Sequence, residues 1–210
     1  MGVLVAGGTG ALGGAVVRDL RDAGYDVAVA DSRGEPPIDL FDTSAAADAV
    51  GSVADLQAVV NLVGGFAMGP KVEGTELEDF ERMLRLNLVP AFNLARAAMP
   101  AMAARGSGAF VCVSARAALQ PFPGASGYIT GKAAVLAFVR TLDAEYADAG
   151  VRSNAVLPSV IDTPANRESM PDSDWSKWVP PEEIARVIRF LISDDSRPTS
   201  GAAIPVYGRA

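Results

Sequence analysis

Histidine is absent from this 210-residue sequence. Its absence excludes the catalytic triads, metal centres and general bases that are built on an imidazole ring. Acid–base chemistry must therefore come from tyrosine, lysine, aspartate or glutamate side chains. We expect no metal site.

Cysteine is nearly absent as well. Cys112 is the single cysteine, so an internal disulfide is impossible. It lies in the apolar segment 109–113, where a small buried side chain in a strand is the expected role and a reactive thiol is the alternative.

Long apolar runs and an excess of positive charge are also missing. No apolar run approaches the ~20 residues of a membrane-spanning helix, and no basic segment followed by an apolar stretch opens the chain. The formal net charge is −7. We therefore expect a cytoplasmic protein that binds neither membranes nor nucleic acids. Because no change in composition marks a second domain, residues 1–210 are predicted to form one domain.

What the sequence does contain is a glycine-rich turn near its start. The apolar segment 3–6 is followed by Gly7, Gly10 and Gly13. In a strand–turn–helix unit, this spacing lets the chain bend, lets backbone N–H groups approach a pyrophosphate, and lets the helix pack on the strand. The helix N-terminus adds partial positive charge. The turn therefore predicts a dinucleotide site, with an ordinary glycine-rich turn as the alternative.

An acidic residue follows the second predicted strand, residues 26–30. Asp31 stands where a carboxylate can accept hydrogen bonds from both hydroxyls of an adenosine ribose and repel a 2′-phosphate. This position favours NAD over NADP. Two alternatives stay open: Asp31 caps the turn that follows it, or Arg33 pairs with a 2′-phosphate.

Predicted strands and helices alternate along the chain, without a long linker or a repeat. The pattern predicts an α/β fold, a Rossmann-like doubly wound parallel sheet of about seven strands with helices on both faces. Residues 38–42 are predicted as the third strand. The apolar run 56–63 is typical of a strand buried on both faces, and it ends at Gly64 and Gly65, at the edge where such sheets bind ligands.

A tyrosine and a lysine carry the candidate chemistry. Tyr128 and Lys132 are four positions apart and fall on one face of a predicted helix. A phenol has a pKa of about 10, and a nearby ammonium lowers it. Such a pair can give a proton to, or take one from, a substrate that exchanges a hydride. The alternative is an ordinary exposed pair on a helix surface.

The motifs in this order resemble the short-chain dehydrogenase/reductase family over nearly the whole chain. The matching motifs are Gly7-x-x-Gly10-x-x-Gly13, Asn61-Leu-Val-Gly64, Asn87, Tyr128-x-x-x-Lys132, Asn154 and the segment from Pro158 to Pro164. The resemblance implies an NAD(P)-dependent oxidoreductase that acts on a small molecule. It also implies a homodimer or homotetramer built through the helices predicted over 90–105 and 128–146; packing of these helices within their own domain is the alternative.

The resemblance assigns catalytic roles to several residues. Tyr128 would be the proton donor or acceptor. Lys132 would hold the nicotinamide ribose and lower the pKa of the tyrosine, and Asn87 would anchor a water relay to Lys132.

The resemblance also implies a set of cofactor-binding residues. Thr163 and the backbone at Ile161 would hold the nicotinamide carboxamide, and Asp39 and Leu40 would flank the adenine. The full set comprises Gly7, Thr9, Gly10, Ala11, Leu12, Gly13, Asp31, Asp39, Leu40, Asn61, Val63, Gly64, Gly65, Tyr128, Lys132, Pro158, Ile161 and Thr163.

One departure from the family concerns the catalytic serine. The family carries a serine 13 residues before its tyrosine; here Ala115 occupies that position and Ser114 lies one residue earlier. Ser114 is the candidate replacement, although a shift of one residue along a strand changes the face. Losing such a hydrogen-bond donor costs about 10²–10³ in rate. A substrate that needs less help at a carbonyl is therefore favoured.

Within the family, the chain resembles the dihydropteridine reductases. The shared segments are 7–13, 64–67, 157–171 and 197–201. That branch also lacks the serine and prefers NADH. The resemblance implies a quinonoid dihydropterin or a similar flat heterocycle as the substrate.

Four residues are candidates for contact with that substrate. Phe66 would face the heterocycle, Ala115 would border the site, and Trp175 and Trp178 would belong to a mobile lid over residues 159–180. For the three aromatic residues, packing within their own loops is the alternative.

Other functions stay open at this point. One is a reductase or dehydrogenase of an ordinary ketone or alcohol. Another, from a different class, is a non-catalytic NAD(P)-binding sensor. A nucleotide-sugar enzyme is disfavoured, because the C-terminal part is too short for the sugar-binding region of those enzymes.

Overall fold

The computed structural model describes residues 1–209, and within them six strands form a single parallel sheet. The strands are β1 (Gly2–Ala6), β2 (Asp26–Ala30), β3 (Leu56–Asn61), β4 (Gly108–Val113), β5 (Val151–Pro158) and β6 (Ala203–Val206). They lie in the order β2-β1-β3-β4-β5-β6, and each neighbouring pair is parallel. The predicted α/β fold with a parallel sheet is confirmed.

Helices cover both faces of this sheet. They are α1 (Ala11–Asp22), α2 (Thr43–Gly51), α3 (Leu77–Arg105), α4 (Ser126–Tyr146), α5 (Pro164–Ser169) and α6 (Pro181–Ile192). Side chains alternate in direction along a strand. Val3 and Val5 therefore join the core beneath α1 and α6, whereas Leu4 and Ala6 join the core beneath α2, α3 and α4. None of the helices within residues 1–209 has the length and apolar character needed to cross a bilayer.

The sheet has one strand fewer than the seven or so expected, because residues 38–42 form no strand. The N–H groups of Gly34 and Ile38 both donate to the carbonyl of Asp31, at 3.0 and 2.9 Å, and close a turn directly after β2. Asp42 then accepts a hydrogen bond from the first turn of α2. The prediction of a strand here is wrong, because the backbone is already bonded in these turns. β2 is consequently an edge of the sheet.

The chain reverses its direction across the sheet at β1. It passes from β1 to β2 on one side and returns to β3 on the other. In doubly wound sheets, such a reversal opens a crevice at the carboxyl ends of the strands. Gly7, Asp31, Gly64 and Ser114 lie at or just beyond the ends of β1 to β4. The topology therefore gathers these residues at one edge of the sheet.

Candidate active site

The glycine turn packs its backbone closely between β1 and α1 at Gly7 and Gly13. Gly7 has a φ of +80°, a conformation that favours glycine. A Cβ atom added at Gly13 would collide with the carbonyl oxygen of Gly7 and lie 2.7 Å from the Cα of Gly8. Gly10 is the N-cap of α1 and offers no side chain to the first amides of the helix. These amides and the positive end of the helix are therefore suited to an anion.

Asp31 joins the end of β2 to this turn. Its carboxylate accepts hydrogen bonds from the backbone N–H groups of Thr9 (3.0 Å) and Arg33 (2.9 Å), and the side chain is only 6% exposed. Burial alone would raise the pKa of Asp31, but these hydrogen bonds and the nearby guanidinium of Arg33 lower it. The buried carboxylate is therefore ionised beside the glycine turn.

Arg33 lies across the same turn. Its Nε is 3.9 Å from a carboxylate oxygen of Asp31, while its side chain is 74% exposed. A Cβ atom built on Gly10 would be 3.6 Å from its Nη2. The Asp31 carboxylate, held by two N–H groups, and the exposed Arg33 guanidinium therefore both lie beside the glycine turn.

The segment after β3 brings three groups together. The side chain of Asn87, on α3, bonds both backbone groups of Gly65: its Oδ1 accepts from the N–H at 3.2 Å and its Nδ2 donates to the carbonyl at 3.1 Å. A Cβ atom at Gly64 would lie 2.6 Å from Asn87 Oδ1 and 2.9 Å from Lys132 Nζ. The bare backbone of Gly64 therefore faces an amide and an ammonium. Asn61 supports the segment by accepting from the N–H of Val63 at 3.2 Å.

Lys132 is buried and held by two hydrogen bonds to the end of β4. Its Nζ donates to the carbonyl of Val113 at 3.0 Å, and its own carbonyl accepts from the hydroxyl of Ser114 at 2.7 Å. Burial lowers the pKa of Lys132 to about 8. Ser114 is only 2% exposed, and its hydroxyl is bonded to the backbone of α4. Ala115, at the position of the family serine, has no hydroxyl.

Tyr128 stands at the start of α4, one turn before Lys132. The ring of Phe66 meets its ring edge to face, with centroids 4.9 Å apart and an interplanar angle of 86°. Burial raises the pKa of Tyr128 to about 12. The ammonium of Lys132 is bonded to the carbonyl of Val113, and it does not offset the effect of burial on this pKa. A lowering of the pKa of Tyr128 by Lys132 during the reaction stays a prediction.

The segment 159–180 follows the carboxyl end of β5 and is cross-linked within itself. Arg167 forms a two-bond ion pair with Asp162, at 2.6 and 2.7 Å, and its guanidinium lies 4.7 Å from the ring centroid of Trp175. Trp175 also donates from Nε1 to a backbone carbonyl of the segment. Trp178 is only 8% exposed. Both tryptophans therefore pack within the segment, and their contact with a substrate stays a prediction.

Two loop ends carry the remaining cofactor candidates. Thr163 is the N-cap of α5, and its hydroxyl oxygen accepts from the N–H of Asn166 at 3.2 Å, while the carbonyl of Ile161 accepts from the side chain of Asn166 at 2.8 Å. Asp39 is exposed and Leu40 is buried. The structure thus places Asp39 and Leu40 beyond β2, and Thr163 and Ile161 beyond β5.

Sequence reasoning missed two structural contributors and left one residue undecided. Asn93 of α3 donates to the carbonyls of Leu40 and Phe41, at 3.0 and 3.3 Å, and so fixes the loop after β2. A buried asparagine among alanines and leucines is the signal that could have revealed it. The carbonyl of Val113, which binds Lys132, had no signal in the sequence.

Cys112 is fully buried and its pKa is raised to about 12 by burial, so the strand role is confirmed.

The geometry fits a dinucleotide. The glycine turn offers bare backbone and the positive end of α1, Asp31 offers an ionised acceptor, and Lys132 with Asn87 borders the bare backbone of Gly64. These features lie at the reversal point of a doubly wound sheet, the usual dinucleotide position. The class that the fold and this site define is a Rossmann-type dinucleotide-binding oxidoreductase.

Comparison with known proteins identifies the family. A family model described as Enoyl-(Acyl carrier protein) reductase matches residues 37–208. The 4-formylbenzenesulfonate dehydrogenase of Comamonas testosteroni is 30% identical, over 98% of this chain and 95% of the relative. The dihydropteridine reductase of Dictyostelium discoideum is 31% identical, over 96% of this chain and 92% of the relative. The chain belongs to the short-chain dehydrogenase/reductase family.

A solved structure extends the comparison to the fold. ElxO with NADP bound superimposes with a TM-score of 0.90 over 98% of this chain and 96% of that chain, at 22% identity. This similarity concerns the fold. Family membership makes this protein an NAD(P)-dependent oxidoreductase that acts on a small molecule.

Proposed function

We propose that this protein reduces a small planar substrate with NADH, with Tyr128 as the proton donor. The observation that carries the proposal is the convergence of Asn87 and Lys132 on the bare backbone of Gly64, one helical turn from Tyr128. A quinonoid dihydropterin or a similar flat heterocycle is the proposed substrate.

The protein's own residues supply binding, orientation and a proton. When bound, the nicotinamide cofactor supplies the hydride. A pKa of about 12 keeps the Tyr128 hydroxyl protonated at neutral pH, which suits a donor in the direction of reduction. Lys132, with a pKa of about 8, is largely an ammonium at neutral pH and stabilises the phenolate that remains after transfer. Asn87 holds the Gly65 backbone beside it.

The preference for NADH rests on Asp31. An ionised carboxylate fixed by two backbone N–H groups accepts from ribose hydroxyls and repels a 2′-phosphate. Arg33 is the competing feature, because its exposed guanidinium lies near enough to the turn to attract a phosphate. We propose that Asp31 dominates, since it is buried and held by two backbone N–H groups, whereas Arg33 is exposed.

The substrate class rests on what the site lacks. Ala115 offers no hydroxyl, and the Ser114 hydroxyl is bonded to the Lys132 carbonyl. A substrate carbonyl would therefore receive one hydrogen-bond donor fewer than a family serine provides. A conjugated heterocycle spreads the developing charge over its ring and needs that donor less. Phe66, 60% exposed beside Tyr128, adds an aromatic surface for such a ring.

A homodimer is the proposed assembly, with a homotetramer as the alternative. Phe92 of α3 is 49% exposed, and its ring centroid lies 6.1 Å from that of Phe138 on α4. An exposed phenylalanine beside a half-buried one on two neighbouring helices favours an interface. Light scattering should give twice the chain mass, and a monomer would contradict it. A cytoplasmic location, where NADH is continuously regenerated, is also part of the proposal.

Replacement of Tyr128 tests the function. Tyr128→Phe removes one hydroxyl, so we expect unchanged NADH binding and a turnover lower by about 10²–10⁴. Fluorescence titration and NADH oxidation measure the two quantities, against a panel of flat heterocycles, quinones and ketones. Tyr146→Phe, the same change at the far end of α4, is the matched control. Unchanged turnover in Tyr128→Phe would refute the mechanism, and NADH binding without turnover of any panel compound by the unaltered protein would favour a sensor.

A further inference from the structure

A cavity opens at the edge of the sheet opposite the candidate active site. Its volume is about 700 Å³, within the range of ~300–1,000 Å³ that is usual for small-molecule sites. Its lining comes from the amino ends of β3, β4 and β5, from the turns before β4 and β5, and from the segment after α6. We call it the amino-end cleft and define it by Arg105, Ser107, Arg152, Arg197 and Ser200. A ligand here would be distinct from the cofactor and the substrate.

The two turns beside the cleft are packed against each other. Gly106 and Gly150 both have a positive φ, +76° and +77°, a conformation that favours glycine. A Cβ atom added at Gly150 would collide with the carbonyl oxygen of Gly106 and lie 2.8 Å from its carbonyl carbon. The turn after α3 and the turn before β5 therefore hold each other in place. A preformed cleft of this kind reduces the entropy that is lost on binding.

Arg152 contributes a half-buried guanidinium to the lining. It donates to three neutral acceptors: the carbonyls of Leu191 (2.7 Å) and Ser193 (3.1 Å) and the hydroxyl of Ser196 (2.7 Å). Because a guanidinium has five N–H groups, these three bonds leave two for a further acceptor. None of the ion pairs among the described residues includes Arg152. Burial lowers its pKa, with Asp194 opposing, so an anion in the cleft would stabilise its charged form.

Arg105 and Arg197 add two guanidiniums that are weakly paired. Arg105 Nη1 lies 3.8 Å from a carboxylate oxygen of Asp55, and Arg197 Nε lies 3.7 Å from one of Asp194. Both carboxylates are exposed to solvent, and ion pairs of this kind contribute little to stability. Each guanidinium can therefore turn from its exposed partner to a bound anion at little cost.

Two hydroxyl groups in the lining can also donate to a ligand. Ser107 Oγ accepts a hydrogen bond from Arg105 Nε at 3.1 Å, and Ser200 Oγ accepts one from the N–H of Ser153 at 3.1 Å. Each hydroxyl still has its own hydrogen to donate. Asp194 is the acidic residue of the lining. Donors and positive charges therefore outnumber acceptors, an arrangement that selects an anion.

We propose that the amino-end cleft binds a small molecule with two or more oxyanion groups, phosphate or carboxylate. The three guanidiniums come from the end of α3, the start of β5 and the segment after α6, so they can hold more than one anionic group. A volume of about 700 Å³ also leaves room for more than a single such group. This binding depends neither on the proposed reduction nor on the choice of its substrate.

The arginine side chains report the binding of an anion directly. The ¹⁵N-labelled full chain is first saturated with whichever of NADH and NADPH it binds more tightly, which keeps other anions away from the glycine turn. At an ionic strength of about 0.15 M, pyrophosphate or citrate should shift the Nε–Hε signals of Arg105 and Arg152, with saturation in the millimolar range. Arg186, on the exposed face of α6, should not shift.

The two anions distinguish the two kinds of oxyanion. Shifts with pyrophosphate alone would support the proposal for phosphates, and shifts with citrate alone would support it for carboxylates. Unchanged Arg105 and Arg152 signals with both anions would overturn the proposal. Equal shifts of Arg186 would also overturn it, because they would show an adventitious ion only.

Charge changes at the rim test the same site in opposite directions. Arg197→Gln removes an exposed guanidinium from the lining, so the affinity for the bound anion should fall about tenfold. Arg186→Gln is the matched control, because Arg186 also forms an exposed pair with an acid three positions away but lies outside the lining. Its affinity should be unchanged. Equal losses in the two variants would overturn the proposal.

Removal of the competing carboxylate should strengthen binding. Asp194→Asn frees Arg197 and removes a negative charge from the lining, so we expect the affinity to rise about threefold. Asp195→Asn, at the next exposed position and outside the lining, should change it less. A damaged fold cannot produce a gain in affinity. Unchanged or weaker binding in Asp194→Asn would contradict an anion held among these arginines.

Discussion

The two sides of the crevice are built by different means. On the side of the glycine turn, bare backbone and one buried carboxylate, Asp31, define the surface. On the side of Tyr128, exposed apolar side chains define it: Phe66 is 60% exposed and Met68 is 63% exposed. An added methyl group at Gly13 would collide with backbone on the first side, whereas the exposed side chains of Phe66 and Met68 on the second side meet no such constraint from solvent.

The largest expected effect is on the glycine turn. Gly13→Ala adds a methyl group that collides with the Gly7 carbonyl. We expect NADH affinity to fall at least about a hundredfold and stability to fall by about 1–3 kcal/mol, as for other overpacked sites. Fluorescence titration and urea unfolding measure the two losses.

A neighbouring glycine provides the control for that comparison. A Cβ atom at Gly14 would meet nothing within 4 Å, and the residue is exposed on α1. Gly14→Ala should therefore bind NADH normally and gain about 0.5–1 kcal/mol of stability. If Gly13→Ala bound NADH as Gly14→Ala does, the contrast between the two sides of the crevice would fail.

A smaller effect is expected for the selection of the cofactor. Asp31→Asn keeps the shape and removes the charge that repels a 2′-phosphate. The ratio of kcat/KM for NADH to that for NADPH should fall at least about tenfold. Asp26→Asn, an exposed position at the opposite end of β2, should leave the ratio unchanged. An unaltered ratio in Asp31→Asn would make Arg33 the determinant instead.

Ser114 separates positioning from direct contact with substrate. Because its hydroxyl bonds the Lys132 carbonyl, Ser114→Ala should lower kcat only about fivefold, the equivalent of one hydrogen bond of about 1 kcal/mol. Ser52→Ala removes a comparable bond to a carbonyl at the end of α2 and should not change kcat. A loss of 10²–10³ in Ser114→Ala would show instead that the hydroxyl acts on the substrate.

The smallest effect is the pH dependence that burial of Lys132 produces. Burial lowers its pKa from 10.5 to about 8. Between these values the unfolded chain holds a proton that the native state has released, so stability rises with pH. From pH 8 to 9 Lys132 should contribute a rise of about 1 kcal/mol to the free energy of unfolding. The raised pKa of Cys112 opposes part of this gain within the same window and more of it above pH 9.

Urea unfolding at half-unit steps of pH measures this rise. Lys132→Met lacks the lysine, so its stability should show no rise from pH 8 to 9 and should fall slightly, because the Cys112 thiol ionises only in the unfolded chain. The same rise in Lys132→Met would assign the effect to a different group. It would also contradict the lowering of the Lys132 pKa by burial.

The sequence predicted best where one residue type satisfies a local requirement. Gly7 and Gly13 revealed the turn because only glycine fits there, and the structure places them as expected. Residues 38–42 misled because an apolar run next to a turn is compatible with a strand. The competing hydrogen bonds to the Asp31 carbonyl and from the first turn of α2 were not visible in the sequence.

The sequence by itself determined the class of fold, the turn after β1 and the pairing of Tyr128 with Lys132 on one helix, because these follow from local spacing. Only the tertiary structure decided where Ser114 directs its hydroxyl and which carbonyl holds Lys132. Those features depend on contacts between segments far apart in the chain, and burial then sets the pKa values of the groups concerned.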